Sequence, residues 1–136
     1  MSTDDTEGVY MARVLVIDDD FSCRTLLKQL LESTGHEVEL ASNGRIGIEL
    51  FRSAIASPDP FELVITDLKM PGGIGGQEVE QVVHELSPQM KVVIFSGSTS
   101  APEVMLPQEY GFVAVLRKPT VSAVMRDQIE AVLRHD

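Results

Sequence analysis

Acidic, hydroxyl and ammonium side chains follow short apolar segments of this 136-residue chain. Asp18 and Asp19 follow Val-Leu-Val-Ile, Asp67 follows Leu-Val-Ile-Thr, Ser96 follows Val-Val-Ile-Phe, and Lys118 comes two residues after Val-Ala-Val-Leu. Three carboxylates brought close together repel one another, so they either take up protons or bind a cation. A lysine ammonium and a serine hydroxyl can bind the oxygens of a phosphoryl group. The set predicts phosphoryl transfer onto or near an aspartate.

Magnesium is the cation that such a set of carboxylates predicts. Mg²⁺ takes oxygen ligands in an octahedron, keeps several waters, and is commonly held by one or two carboxylates together with a phosphate. Asp20 is expected to cap the following helix instead, because its carboxylate can accept hydrogen bonds from the first helical turn. His36, His84 and His135 are far apart in the sequence and lack ligand spacing, so we expect them at the surface.

Apolar runs bounded by turn residues predict the strands that position these side chains. The runs cover residues 13–17, 37–41, 63–67, 91–95 and 113–116. Apolar residues at helical spacing predict helices over about 21–34, 44–54, 77–86 and 121–133, with a short or broken helix between Pro102 and Pro107. On the second helix we expect Ile46, Leu50, Phe51 and Ile55 to share one buried face, and we expect Thr120 to cap the last helix.

Strands that alternate with helices predict right-handed βαβ units. The fold class is therefore α/β, a doubly wound parallel sheet with helices on both faces. Ligands of such sheets bind outside the carboxyl ends of the strands. Because each candidate side chain follows the end of a strand, we expect all of them to share one crevice.

Length and composition fit a single globular domain with 43% apolar and 24% charged residues. No apolar run reaches membrane-spanning length, and the formal charge of −10 argues against direct binding of nucleic acid, whose affinity depends on clustered Lys and Arg. Cys23 is the only cysteine and no signal-peptide pattern opens the chain, so the expected location is cytoplasmic. Residues 1–11 are predicted to form a disordered acidic tail before a domain over residues 12–136.

Taken together and in order, these motifs resemble the receiver domains of two-component response regulators, over about residues 12–135. The resemblance rests on four motifs, each at the end of its own predicted strand: Ile17-Asp18-Asp19-Asp20, Asp67-Leu68-Lys69-Met70-Pro71, Ser96-Gly97 and Lys118-Pro119. It implies a flavodoxin-like, five-stranded parallel sheet with strand order 2-1-3-4-5. It also implies a cis peptide bond between Lys118 and Pro119.

The resemblance implies a role for each residue of the site. Asp67 would accept a phosphoryl group from the phosphohistidine of a histidine kinase or a histidine phosphotransfer protein. Ser96 and Lys118 would stabilise the charge on the transferring oxygens. Such a domain catalyses only its own phosphorylation and dephosphorylation, so it is not an enzyme with a separate substrate, and it signals through contacts between proteins. Its oligomeric state is left open.

The metal ligands are likewise implied by the resemblance. Mg²⁺ would be held by the carboxylates of Asp19 and Asp67 and by the main-chain carbonyl of Lys69, while Asp18 would act through water. Arg24, on the first helix, is expected to face solvent near the crevice.

Two departures from the family pattern affect how such a domain would pass on a signal. The segment after Met70-Pro71 is one residue longer than usual and reads Gly-Gly-Ile-Gly-Gly, which resembles receiver modules of hybrid sensor histidine kinases. Val115 stands where the family often has an aromatic residue whose ring reports phosphorylation. A switch in this chain would therefore use other parts, such as residues 98–107 or Tyr110.

Two other functions compete with this interpretation. Asp18, Asp20 and Ser22 imitate the Asp-x-Asp-x-Thr motif of haloacid-dehalogenase-type phosphohydrolases, although that assignment leaves Asp67 without a role. A pseudo-receiver that is never phosphorylated and acts only as a docking module is the second alternative. The intact set of Asp19, Asp67, Ser96 and Lys118 argues against it.

Overall fold

The computed structural model describes residues 11–135, so the tail predicted over residues 1–11 lies, apart from Met11, outside the described residues. Strands and helices alternate in the order β1 (Arg13–Ile17), α1 (Phe21–Ser33), β2 (Glu37–Ala41), α2 (Gly44–Ile55), β3 (Leu63–Thr66), α3 (Gly76–Leu86), β4 (Lys91–Ser96), α4 (Pro102–Met105), a 3-10 helix (Pro107–Tyr110), β5 (Ala114–Arg117) and α5 (Ser122–Arg134). Every predicted strand and helix is present, with ends that differ by one or two residues.

The five strands form one parallel sheet in the order β2-β1-β3-β4-β5. Val16 lies between Leu40 of β2 and Ile65 of β3, which places β1 inside the sheet. The pairing continues past the strand ends, where the amide of Asp67 donates to the Ile17 carbonyl at 2.8 Å. The predicted doubly wound α/β fold with strand order 2-1-3-4-5 is confirmed.

Helices cover both faces of the sheet, and each face has its own apolar core. Leu15 and Ile17 point into the core under α2, α3 and α4, while Val14 and Val16 point into the core under α1 and α5. Strands that are buried on both faces have continuous apolar runs, and this explains why the sequence shows runs rather than alternation. None of the helices among residues 11–135 has the length and hydropathy of a transmembrane segment.

The predicted buried face of α2 is partly wrong. Phe51 is buried, but Ile46 and Ile55 are 39% and 42% exposed. Gly47 faces β1 so closely that a Cβ there would overlap the side chain of Ile17. Because the side of α2 that carries Gly47 lies against the sheet, Ile46 and Ile55 face outward instead of into the core.

Two further expectations are corrected by the structure. Thr120 does not cap α5, which begins after Val121 and has no side-chain capping hydrogen bond. His36 is not at the surface, because it is only 4% exposed. Its Nδ1 accepts a hydrogen bond from the Ala12 amide at 2.9 Å, and its Nε2 lies 2.6 Å from Oε2 of Glu130 on α5.

The outer edge at β2 is strongly acidic. Glu37 and Glu39 have 61% and 45% of their side chains exposed, and both lie near Arg13 of β1 at 4.0 and 3.5 Å. Arg13 is also held over the ring of Phe61, at 4.6 Å from its centroid. Arg13 of β1 thus supplies the positive charge that faces the two glutamates of the edge strand β2.

Candidate functional site

Three carboxylates meet where β1 and β3 end side by side. Asp18 and Asp19 directly follow β1, and Asp67 directly follows β3. Each contributes a carboxylate oxygen, and these atoms lie within 4.8 Å of one another. Asp18 is fully buried, Asp67 is half-buried and Asp19 is exposed, so the cluster opens to solvent on the Asp19 side.

The Asp18 carboxylate is occupied on both oxygens. Oδ1 accepts a hydrogen bond from the Asp20 amide at 2.9 Å, and Oδ2 accepts one from Nζ of Lys118, also at 2.9 Å. Its side chain is 1% exposed. Hydrogen bonds and an opposite charge thus replace the water that this buried carboxylate has lost.

Asp67 is less enclosed and lies beside the same lysine. Its Oδ1 accepts a hydrogen bond from the Leu68 amide at 2.8 Å, and its Oδ2 accepts one from Nζ of Lys118 at 3.3 Å. Burial and the negative charge of Asp18 raise the pKa of Asp67, while Lys118 and the Leu68 amide oppose that rise. The carboxyl of Asp67 is therefore more basic than an ordinary aspartate, which favours its use as a nucleophile.

Lys118 follows β5 and supplies the cation of the cluster. Burial by itself lowers the pKa of Lys118, but the hydrogen bond to Asp18 and the charges of Asp67 and Asp18 outweigh it and raise the pKa well above its ordinary value. The ammonium also lies 4.8 Å from the centre of the Phe95 ring. The Lys118–Pro119 peptide bond is cis, as the resemblance implies.

Ser96 is the last residue of β4, the strand between β3 and β5. It is 4% exposed, and its hydroxyl oxygen accepts a hydrogen bond from the Ser98 amide at 3.1 Å. Its carbonyl accepts one from the Lys118 amide at 2.9 Å. Among residues 11–135, no hydrogen bond joins its hydroxyl to Asp67 or to Nζ of Lys118. The structure thus places Ser96 on the strand that separates these two residues.

One contact was missed by the sequence interpretation. Arg24 does not simply face solvent, because its Nη1 donates to the Asp18 carbonyl at 2.7 Å and its guanidinium lies near the Phe21 ring. Arg24 lies six residues after Asp18, in the first turn of α1. This spacing is the feature of the sequence that could have indicated the contact. Asp20 caps α1 as predicted, accepting from the amides of Ser22 and Cys23.

The glycine-rich segment before α3 lies directly against the site. The Gly76 amide donates to the Leu68 carbonyl at 2.9 Å, and a Cβ at Gly76 would overlap the carbonyl oxygen of Asp67. Only glycine allows α3 to begin at this distance from the aspartate. Lys69, in the turn between Asp67 and α3, has an exposed side chain.

The donor set fits Mg²⁺. All three side chains offer carboxylate oxygens, which are the ligands that this ion prefers. Both Asp18 oxygens already accept hydrogen bonds, which leaves Asp19 and Asp67 as the carboxylates best placed for direct contact. With three carboxylates and one ammonium, the cluster carries an excess of two negative charges.

Comparison with known proteins agrees with this arrangement. The family model described as the response regulator receiver domain matches residues 14–130, a range that contains every site residue named above. The transcriptional regulatory protein AfsQ1 of Streptomyces coelicolor is 32% identical over 124 residues, which are 91% of this chain and 52% of AfsQ1. The chain spans about half, or less, of the length of the curated relatives it matches.

Solved structures give the same result. A receiver domain protein from Clostridium thermocellum superposes with a TM-score of 0.79 at 31% identity, covering 90% of this chain and 94% of that one. The response regulator protein TrrA of Thermotoga maritima, crystallised in complex with Mg²⁺-BeF, superposes with a TM-score of 0.76 at 25% identity, covering 90% and 99%. The fold, the clustered acids and the family match lead to one conclusion: this chain belongs to the response regulator receiver domain family of two-component systems.

Proposed function

We propose that Asp67 accepts a phosphoryl group from the phosphohistidine of a histidine kinase or a histidine phosphotransfer protein, in a reaction that requires Mg²⁺. The observation that carries this proposal is the position of Asp67, a basic carboxylate 3.3 Å from a lysine ammonium and beside two further carboxylates. A carboxylate with these neighbours has both the nucleophilic oxygen and the means to neutralise an incoming phosphoryl group.

The transfer step uses three side chains of this chain. An oxygen of Asp67 attacks the phosphorus, a P–O bond forms as the P–N bond to the donor histidine breaks, and the imidazole leaves. Lys118 stays protonated, because its pKa is raised, and binds an oxygen of the transferring group. Ser96 donates its hydroxyl hydrogen to another of these oxygens. Attack by water on the aspartyl phosphate then restores Asp67.

Asp19, Asp67 and the main-chain carbonyl of Lys69 would hold the ion, with Asp18 acting through water. The hydrogen bonds that already occupy both oxygens of Asp18 support its indirect role. When bound, Mg²⁺ neutralises charge on the phosphoryl oxygens. The complex of TrrA with Mg²⁺-BeF supports the choice of metal.

The output of the domain passes through contacts with other proteins, and we place the chain in the cytoplasm. It is a signalling module that acts on itself and has no separate substrate. We assign no nucleic-acid contact to this chain, because its formal charge is −10. This chain corresponds to 52% of the transcriptional regulatory protein AfsQ1.

The test is stoichiometric labelling. We expect the wild-type chain, incubated with acetyl phosphate and Mg²⁺, to gain one phosphoryl group by intact mass. Asp67→Asn should gain none, and a chelator should abolish labelling of the wild type. Asp127→Asn, which changes an exposed carboxylate on α5, is the matched control and should label fully. Label that persists in Asp67→Asn would contradict the proposal.

The two alternatives make different predictions in the same assay. A phosphohydrolase that used Asp18 as nucleophile would turn over small phosphate monoesters, but Asp18 is buried and both of its oxygens accept hydrogen bonds. A pseudo-receiver would remain unlabelled. The basic, partly accessible carboxyl of Asp67 favours labelling over either alternative.

A further inference from the structure

A polar network centred on one buried carboxylate lies on α3, outside the site described above. Glu80 is 6% exposed, and its Oε1 accepts a hydrogen bond from Nε2 of Gln77 at 3.1 Å. Its Oε2 is in contact with Nδ1 of His84, whose Nε2 donates to the Met90 carbonyl at 2.8 Å. We call the side chains of Gln77, Glu80 and His84 the α3 network.

The α3 network needs one proton between Glu80 and His84. The Met90 carbonyl can only accept, so Nε2 of His84 carries a hydrogen. The bond between Nδ1 and the Glu80 carboxyl then requires one further proton, carried by either partner. A glutamine at position 80 could make the same two contacts without that proton, because its amide oxygen accepts from Gln77 and its amide nitrogen donates to Nδ1.

The network holds the turn that precedes β5. Nε2 of Gln77 also donates to the Tyr110 carbonyl at 3.3 Å. Gly111 has a φ of +90°, and a Cβ there would overlap the Glu80 carboxylate, so this carboxylate packs directly on the backbone of the turn. The 3-10 helix Pro107–Tyr110 is thus tied to α3 by a hydrogen bond and by close packing.

The first residue of α3, next to Gln77, is in contact with the backbone at Asp67. Gly76, the first residue of the helix, donates to the Leu68 carbonyl and packs against the carbonyl of Asp67. The helix is 11 residues long and buries Val79 and Val83. The same helix thus contacts Asp67 through Gly76 and the 107–111 turn through Gln77 and Glu80.

One buried acceptor of the network has no hydrogen-bond partner among the described residues. This acceptor is Oε1 of Gln77. A buried acceptor without a donor costs free energy, so a shift of the turn that brings a donor to this atom would be stabilising. Val115 has no ring that could report phosphorylation in the way often seen in the family.

We propose that the α3 network transmits a change at Asp67 to the 107–111 turn. The turn and α4 carry exposed apolar side chains, with Met105 64%, Leu106 54% and Tyr110 36% exposed. Movement of the turn changes how this surface is presented to a partner protein. The inference rests on the proposed function, because it requires Asp67 to be phosphorylated.

The experiment is hydrogen exchange of residues 106–112, with and without acetyl phosphate and Mg²⁺, in wild type, Glu80→Gln and Glu80→Leu. Intact mass on the same samples measures phosphorylation. Without phosphodonor, Glu80→Gln should match wild type, while Glu80→Leu should exchange about tenfold faster in this segment. With phosphodonor, exchange in the segment should change in wild type and Glu80→Gln, but not in Glu80→Leu, although all three carry the label.

Two outcomes would overturn the inference. One is a phosphorylated wild type in which residues 106–112 exchange as before. The other is a phosphorylated Glu80→Leu whose segment responds like that of the wild type. A wild type that gains no mass contradicts the proposed function itself and, with it, this inference. The unphosphorylated comparison of Glu80→Gln with Glu80→Leu then still decides whether the α3 network holds the turn.

Discussion

A single ammonium balances the buried acids of the site. Nζ of Lys118 bonds to both Asp18 and Asp67, at 2.9 and 3.3 Å. Asp18 depends on this bond most, since its carboxylate is out of contact with solvent. Burial and the charge of Asp18 raise the pKa of Asp67, although Lys118 and the Leu68 amide oppose that rise. The site thus combines a fully buried carboxylate with a more accessible one whose pKa is raised.

Asp67→Asn should stabilise the fold at neutral pH. The folded pKa of Asp67 is raised, so the folded state binds its proton more tightly than the unfolded state and ionisation costs stability. Removing the charge should raise the Tm at pH 7 by a few degrees. The gain should shrink as the pH falls through the raised pKa, and it should vanish below the ordinary carboxyl pKa, where both states are protonated. Thermal denaturation across this pH range measures it, and an equal gain in acid would contradict the charge explanation.

Lys118→Met should destabilise the fold and make it more dependent on metal. The change leaves buried Asp18 without its cation, at a cost of about 3 kcal/mol in the free energy of unfolding. Because Mg²⁺ can supply the missing positive charge, it should raise the Tm of this variant more than that of the wild type. Denaturant titrations with and without Mg²⁺ measure both effects. Lys28→Met, which removes an exposed pair with Glu32, is the control and should change little.

At the scale of elements, glycines set how closely the helices pack on the sheet and its loops. Gly47 lets α2 lie against Ile17, and Gly76 lets α3 start at the carbonyl of Asp67. Gly44 has a similar role, since a Cβ there would lie 2.7 Å from the Ile74 carbonyl oxygen. The loop after Asp67 is therefore positioned from both sides, by α2 and by α3.

Gly76→Ala should displace α3 from the site. The added methyl group meets backbone atoms at Asp67 and Leu68, which cannot move aside without shifting β3 or the loop. We expect a loss of about 2 kcal/mol in the free energy of unfolding and slower labelling by acetyl phosphate. Gly73→Ala is the matched control, because a Cβ there meets nothing within 4 Å. Equal effects of the two substitutions in denaturant titrations would show that close packing at Gly76 is unimportant.

At the scale of the molecule, the sequence predicts the sheet and the place of the site for one physical reason. Runs that are apolar on both faces become parallel strands, and their carboxyl ends share one edge, so Asp18, Asp67 and Lys118 had to converge. Contacts that depend on tertiary packing were not predictable. The pairing of His36 with Glu130 joins residues 94 positions apart, and neither residue has a local pattern that signals it.

His36→Ala should weaken the whole domain. His36 links the start of β1 to α5, and its side chain is fully buried. Its removal leaves a cavity and two unpaired groups, and should lower the free energy of unfolding by about 3 kcal/mol in one cooperative transition. Glu130→Gln keeps an acceptor for Nε2 of His36 and should cost much less. Urea denaturation followed by circular dichroism compares the two variants.

The acidic rim of β2 also bears on self-association. An outermost strand offers unpaired amides and carbonyls to any other strand that comes close. If two copies met through this strand, Glu37 and Glu39 of each would face like charges, while Arg13 is already engaged within its own molecule. The protein should therefore resist growth of its sheet into fibrils from this side, and replacing both glutamates by glutamine should remove that protection.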